Sequence, residues 1–167
     1  MSSQPDSPYG SFAPEIVEAL RRAHSQTPLH QLLDLKFVDF EPDAVTVEMP
    51  VATGAMNGSG NLHGGAIATL CDVASGSCAA RSGSFRPGEN TLVTADLHVR
   101  YLGRPKGNVV RATARLLRAG RMLVVIETRV VDDLGNIIAV ADFSGMVVPL
   151  RQALPQASGA DVRAPDM

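Results

Sequence analysis

Between residue 63 and about residue 81 the chain is dense in Ala, Leu, Ile, Val, Cys and other small residues, apolar nearly all round at helical spacing. A helix of that character is buried on most sides rather than laid on a surface. It needs a wrapper, and 167 residues suffice for one such core but not for two. The second half of the chain supplies that wrapper. Residues 91–101 alternate Val93, Ala95, Leu97, Val99 and Tyr101 against Thr94, Asp96, His98 and Arg100. Strand-like runs continue at 108–118, 122–131 and 137–148, joined by connections of three to five residues, which predicts a four-stranded antiparallel meander. Upstream, the runs 35–40 and 44–49 flank Glu41-Pro42-Asp43 and read as a hairpin. The expected fold is α+β: one long central helix wrapped by a curved antiparallel sheet of about five to six strands. One sheet cannot enclose a helix completely and leaves an edge strand open, so self-association is expected.

Outside this unit, residues 13–24 place Ile16, Val17, Leu20 and Ala23 opposite Glu15, Glu18, Arg21 and Arg22, predicting an extra N-terminal helix. A short second helix is expected around 29–33. Residues 1–34 thus form an N-terminal extension, 35–150 the main domain, and the Pro/Ala/Ser-rich 151–167 a flexible tail. Lys and Arg number 15 against 17 Asp and Glu, a net charge of −2, which gives no basic footprint for nucleic acid or an anionic membrane. No apolar run approaches the ~20 residues of a membrane span, and no basic-then-apolar start marks a signal peptide. A soluble cytoplasmic protein is expected. Cys71 and Cys78, seven apart on one helix, would stand ~10.5 Å apart, too far for a disulfide. They read as core residues of a reducing compartment.

Within residues 64–80 the sole ionisable side chain besides the cysteines is Asp72. A buried carboxylate costs several kcal/mol unless paired or hydrogen-bonded, so Asp72 demands an explanation. Either it bonds to backbone at a bend or reaches solvent on a narrow stripe, or it does chemistry. His63-Gly64-Gly65 stands where the helix begins. Two glycines let the backbone approach a ligand closely, and free N–H groups at a helix N-terminus favour developing negative charge, the chemistry of an oxyanion hole. A tight turn into the helix, with His63 as a cap, explains the same three residues. One His with a distant Asp is not metal-ligand spacing, so no metal site is expected.

Taken as a string, Asn57, five residues, His63-Gly64-Gly65, six residues and Asp72 resembles the signature of the hotdog-fold acyl-CoA thioesterases, most of all the phenylacetate-pathway (PaaI-like) branch. The run Val93-Thr94-Ala95-Asp96-Leu97-His98-Val99-Arg100-Tyr101 and the Gly-Arg-Pro-Lys-Gly turn after it fit the same family, so the resemblance covers about residues 30–150. It implies hydrolysis of an acyl-CoA thioester without cofactor. The small residues Ala74, Ser75, Gly76 and Ser77 on the helix leave space that fits an aromatic or medium-chain acyl group. In that hydrolysis the Gly64 N–H would polarise the thioester carbonyl. Asn57 and His63 would hold the thioester, its water and the loop. Asp72 would be general base or nucleophile, and the Thr94 hydroxyl would help position water. Gly65 would allow close approach of substrate, and Arg100, Arg104, Lys106 and Arg121 could meet the phosphates of coenzyme A. Two other readings are a non-catalytic hotdog acyl-CoA-binding protein and a hotdog hydratase or dehydratase. Gly64 and Asp72, eight residues apart on one helix, are separated by ~12 Å along its axis, yet both must lie within ~3–4 Å of one carbonyl. If both act, they come from different chains. A homodimer with shared active sites is expected, assembled further as a dimer of dimers.

Overall fold

The computed structural model describes residues 18, 21–22, 24–41, 43–82, 84–86 and 88–150. Of the expected N-terminal helix, the described positions Glu18, Arg21, Arg22 and His24 are helical; residues 1–17 and the tail 151–167 lie outside the described part. In chain order follow α1 (Pro28–Leu32), β1 (Lys36–Glu41), β2 (Ala44–Pro50), a 3-10 turn (Thr53–Ala55), α2 (Gly64–Ala79), β3 (Asn90–Tyr101), β4 (Val109–Ala119), β5 (Leu123–Asp132) and β6 (Ile137–Pro149).

The six strands form one antiparallel sheet in the order β1-β2-β4-β5-β6-β3. Only β4, β5 and β6 are a meander. β3 pairs with β6 instead of β4, against the four-strand expectation. The reason lies in the connection 102–108. The N–H groups of Leu102 and Gly103 both bond to the Ile138 carbonyl (2.9 and 3.2 Å), which steers the chain across the end of the sheet instead of back along β3. Three strand spacings measure ~14 Å, well within the ~24 Å that seven residues can span.

The sheet curls around α2, whose burial follows from its composition: Leu70, Cys71 and Ala74 are fully buried, facing Val47, Val110, Ala112, Ile126 and Phe143. Three glycines and three serines or threonines make α2 a poor helix in isolation, so tertiary burial holds it. Of the small residues 74–77, Ala74, Ser75 and Ser77 face into the protein. Ser75 Oγ meets Thr128 Oγ1 on β5 at 2.7 Å, and Ser77 Oγ donates to the Val73 carbonyl at 2.7 Å. Only Gly76 of the four is on the less buried side, where an added Cβ would meet nothing within 4 Å. That side is a stripe at helical spacing: Gly65, Ala68, Thr69, Asp72 and Gly76.

Candidate active site

β3 runs along this uncovered stripe. Strict alternation would put Thr94 on the same face as His98 and Arg100, turned away from the helix. A β-bulge between Thr94 and Asp96 shifts the phase. Thr94 therefore points inward with Leu97 and Val99, and its Oγ1 donates to Asp72 Oδ1 at 2.9 Å. Asp72 is half-buried, and Thr94 is its one hydrogen-bond partner among the described residues. The bond fixes one carboxylate oxygen and leaves the other on the open flank of α2.

At the start of α2, His63 is the N-cap, and its Nδ1 accepts from the Gly65 N–H at 2.8 Å. A proton on Nδ1 would break that cap, so the cap uses the tautomer with the proton on Nε2. The Gly65 amide is thereby spent on the turn. The Gly64 N–H, like that of the buried Ala66, has no partner among the described residues and is a free donor at this end. Asn57 holds the preceding loop: its Oδ1 accepts from the N–H groups of Ser59 (2.9 Å) and Asn61 (3.1 Å), and its N–H donates to the Asn61 carbonyl (2.7 Å). The loop is tied to the helix by the His63 N–H, which donates to the Ala55 carbonyl at 2.7 Å. Tyr101, not singled out from sequence, closes this corner. Its hydroxyl donates to the Gly64 carbonyl at 3.0 Å, and its ring lies against the Gly64 Cα. Tyr101 falls in the inward phase of β3 with Leu97 and Val99, as the alternation of residues 91–101 places it.

The thioesterase superfamily model matches residues 59–139, a span that includes His63, Gly64, Asp72, Thr94 and Tyr101. The crystal structure of a mutant of thioesterase PA1618 from Pseudomonas aeruginosa superposes with a TM-score of 0.74 at 26% identity, covering 80% of this chain and 94% of that one. The chain has the hotdog fold, and over residues 59–139 it is similar to the thioesterase superfamily. The same Pseudomonas protein, which carries an esterase name among curated sequences, is 28% identical over 132 residues, 77% of this chain and 87% of its own length. A Halobacterium salinarum protein, also carrying an esterase name, is 40% identical over 74 residues; that match spans 44% of this chain and about half (48%) of the archaeal protein. Zebrafish thioesterase superfamily member 2 superposes with a TM-score of 0.70 at 27% identity over 81% of this chain and 99% of that one.

The hotdog fold separates the four basic residues named from sequence. Arg104 and Lys106 are exposed on the 102–108 connection, directly after Tyr101 and so beside the N-terminus of α2. Arg100 is on the outer face of the sheet, in a groove of about 580 Å³ with Arg115, Arg129, Glu127 and Asp142. Arg121 lies by Ser84, Asn90 and Val147 at the opposite end of the strands, an 11-residue β4, ~36 Å, away from the connection. Within one chain these two do not join the Gly64 corner. Cys71 and Cys78 take no part either: burial, and next the neighbouring Asp72 carboxylate for Cys71, pushes the Cys71 thiol up to about 12, and burial does the same for Cys78. Among the described residues no three His, Cys, Asp or Glu side chains converge as a metal site, and no helix is long and apolar enough to cross a membrane.

Proposed function

We propose that the protein is an acyl-CoA thioesterase of the PaaI-like kind, acting on an aromatic or medium-chain acyl group. The observation that carries this reading is Asp72: a carboxylate within an otherwise apolar helix, set on its uncovered flank and oriented by Thr94. A binding protein has no need of that group, whereas thioester hydrolysis needs a base or nucleophile beside the carbonyl.

In the base mechanism the Asp72 carboxylate takes a proton from water as the water oxygen bonds to the thioester carbon. The Gly64 N–H receives the carbonyl oxygen as it becomes an oxyanion. The intermediate collapses, the C–S bond breaks, and the Asp72 proton passes to the departing thiolate. In the nucleophilic variant a carboxylate oxygen adds directly, expels the thiolate and leaves an anhydride, which water hydrolyses. The ~12 Å between Gly64 and Asp72 along α2 prevents one chain from applying both groups to one carbonyl. Gly64 of one chain therefore works with Asp72 of its partner, and the open edge of β3 beside the stripe supports a dimer formed there.

Incubation with a panel of acyl-CoAs, followed by release of free thiol, tests the reading. Wild type is expected to cleave at least one aromatic or medium-chain member, and Asp72→Ala to lose about 10²-fold or more in kcat while remaining folded. Binding without thiol release, or near-normal turnover by a folded Asp72→Ala protein, overturns the proposal.

A further inference from the structure

The β5–β6 turn contains a carboxylate that the chemistry above does not use. Asp132 is 2% exposed, and its two oxygens have different jobs. Oδ1 accepts from the N–H groups of Leu134 (3.1 Å) and Asn136 (2.7 Å), closing its own turn. Oδ2 reaches across to the 102–108 connection, accepting from the N–H groups of Lys106 (2.9 Å) and Gly107 (3.3 Å). The Asn136 amide braces both oxygens at 3.1 and 2.9 Å. Burial alone would raise the pKa of Asp132, but the hydrogen bonds from Lys106, Asn136 and Gly107 outweigh it and hold the carboxyl well below the usual range. Asp133 adds a second clamp. It accepts from the Asn108 N–H at 3.1 Å, and a Cβ on Gly107 would occupy the place of its carboxylate.

A five-residue hairpin turn requires the Oδ1 bonds but not the Oδ2 bonds. The latter serve the connection. With Leu102 and Gly103 bonded to Ile138 and the Asn108 carbonyl accepting from Val51, the connection is tied at both ends. Between the ties stand Arg104, Pro105 and Lys106. Both cations are exposed and lack a carboxylate partner among the described residues. Arg100, Arg118, Arg121 and Arg129 lack one too, but Arg104 and Lys106 stand on the connection that follows directly on Tyr101, whose hydroxyl touches Gly64. Arg104 is three residues beyond Tyr101, so its Cα lies within ~11 Å of the residue that touches Gly64. Two unpaired cations on a clamped backbone, at the mouth of a thioester site, match a ligand with phosphates at the far end of a flexible arm.

We propose that Asp132 is a positioning residue for substrate: it clamps the 103–107 segment so that Arg104 and Lys106 meet the phosphate groups of the coenzyme A moiety. The inference rests on the thioesterase reading. Its test compares an acyl-CoA with the same acyl group on N-acetylcysteamine, which offers the thioester without any phosphate. In Asp132→Asn the Oδ1 acceptor is kept and Oδ2 becomes an N–H donor facing two N–H donors. The ratio of KM for acyl-CoA to KM for the N-acetylcysteamine thioester is expected to rise about tenfold or more, the loss of a charge-assisted contact. A merely structural role would move both KM values together, and an unmoved ratio overturns the proposal. Should Asp132→Asn fail to fold, the surface double variant Arg104→Gln, Lys106→Gln decides by the same ratio. Failure of wild type to cleave either thioester defeats the thioesterase reading instead. Calorimetric binding of coenzyme A then settles this inference, with weaker binding by Asp132→Asn upholding it and equal binding overturning it.

Discussion

Gly64 has no conformational reason of its own to be glycine. Its backbone is outside the left-handed region, and an added Cβ would meet only the Tyr101 ring at 3.5–3.6 Å, ordinary contact. Alanine there also suits a helix better than glycine. Gly64→Ala is therefore expected to melt at or above the wild-type temperature. Its methyl would stand where a thioester carbonyl approaches the N–H, so kcat/KM should fall by about 10²-fold, as for a displaced oxyanion donor. Full activity in a folded Gly64→Ala protein would show that substrate does not come to this amide. Gly65 differs: a Cβ would stand 3.0 Å from His63 Nδ1, so its smallness serves the cap. Adjacent glycines indistinguishable in sequence thus have separate causes.

At the scale of elements, periodicity made most of the secondary structure legible. Apolar residues all round residues 63–81 gave α2, and period-two runs gave every strand to within a residue or two. The phase of β3 was not legible, because nothing around Ala95 signals a bulge; the register with β6 creates it. Alternation already set Tyr101 in one phase with Leu97 and Val99, but nothing in the sequence marks the partner of its hydroxyl, a backbone carbonyl 37 residues earlier. Asp132 looked like a turn residue because its second set of partners, Lys106 and Gly107, lies 25 or more residues earlier. The place of β3 in the sheet was hidden by a connection that fits a hairpin and a crossing equally well.

The N-terminal helical segment adds a pH-dependent contact at this scale. His24 packs on the Phe37 ring, its Nε2 meets Ser77 Oγ on α2 at 3.3 Å, and its Nδ1 meets His30 Nδ1 at 3.2 Å. Ser77 Oγ donates to Val73, so it accepts from His24 Nε2–H, which leaves His24 Nδ1 to accept from His30. Burial, and then the neighbouring His30, lower the His24 pKa from 6.5 to about 4. Between those values the unfolded chain holds a proton that the docked His24 refuses, so stability falls as pH drops from 6.5 towards 4. His24→Leu removes that proton uptake and suits the Phe37 contact. Its melting temperature should fall less than that of wild type between pH 7 and pH 5. Equal losses in the two proteins would dismiss the contact as a titrating one.

The whole molecule under the proposed function is at least a dimer, because each site draws on two chains. Asn57→Ala and Asp72→Ala homodimers should both be nearly inactive, each lacking one part in both sites. In a mixed dimer, the Asp72→Ala chain brings an intact loop and the Asn57→Ala chain an intact carboxylate. One site is then whole and the other doubly damaged. Random reassortment makes about half the dimers mixed, so activity should recover to about a quarter of wild type, by two-fold symmetry. Co-refolding equal amounts, with subunit exchange verified by mass tags, measures this. No recovery in verified mixed dimers would put both groups on one chain.

The position of β3 also sets an order in time. Residues 90–101 leave the ribosome before β4, β5 and β6, yet among the described residues the sole strand they pair with is β6, residues 137–149. Thr94 and Tyr101 have no ladder to join until the last strand of the sheet has been made. The helix with Asp72 and Gly64 can meet β2, β4 and β5 earlier, while the strand that orients Asp72 docks late. A nascent chain cut anywhere before β6 lacks the ladder that holds Thr94 against Asp72, so no half-made protein carries the complete corner.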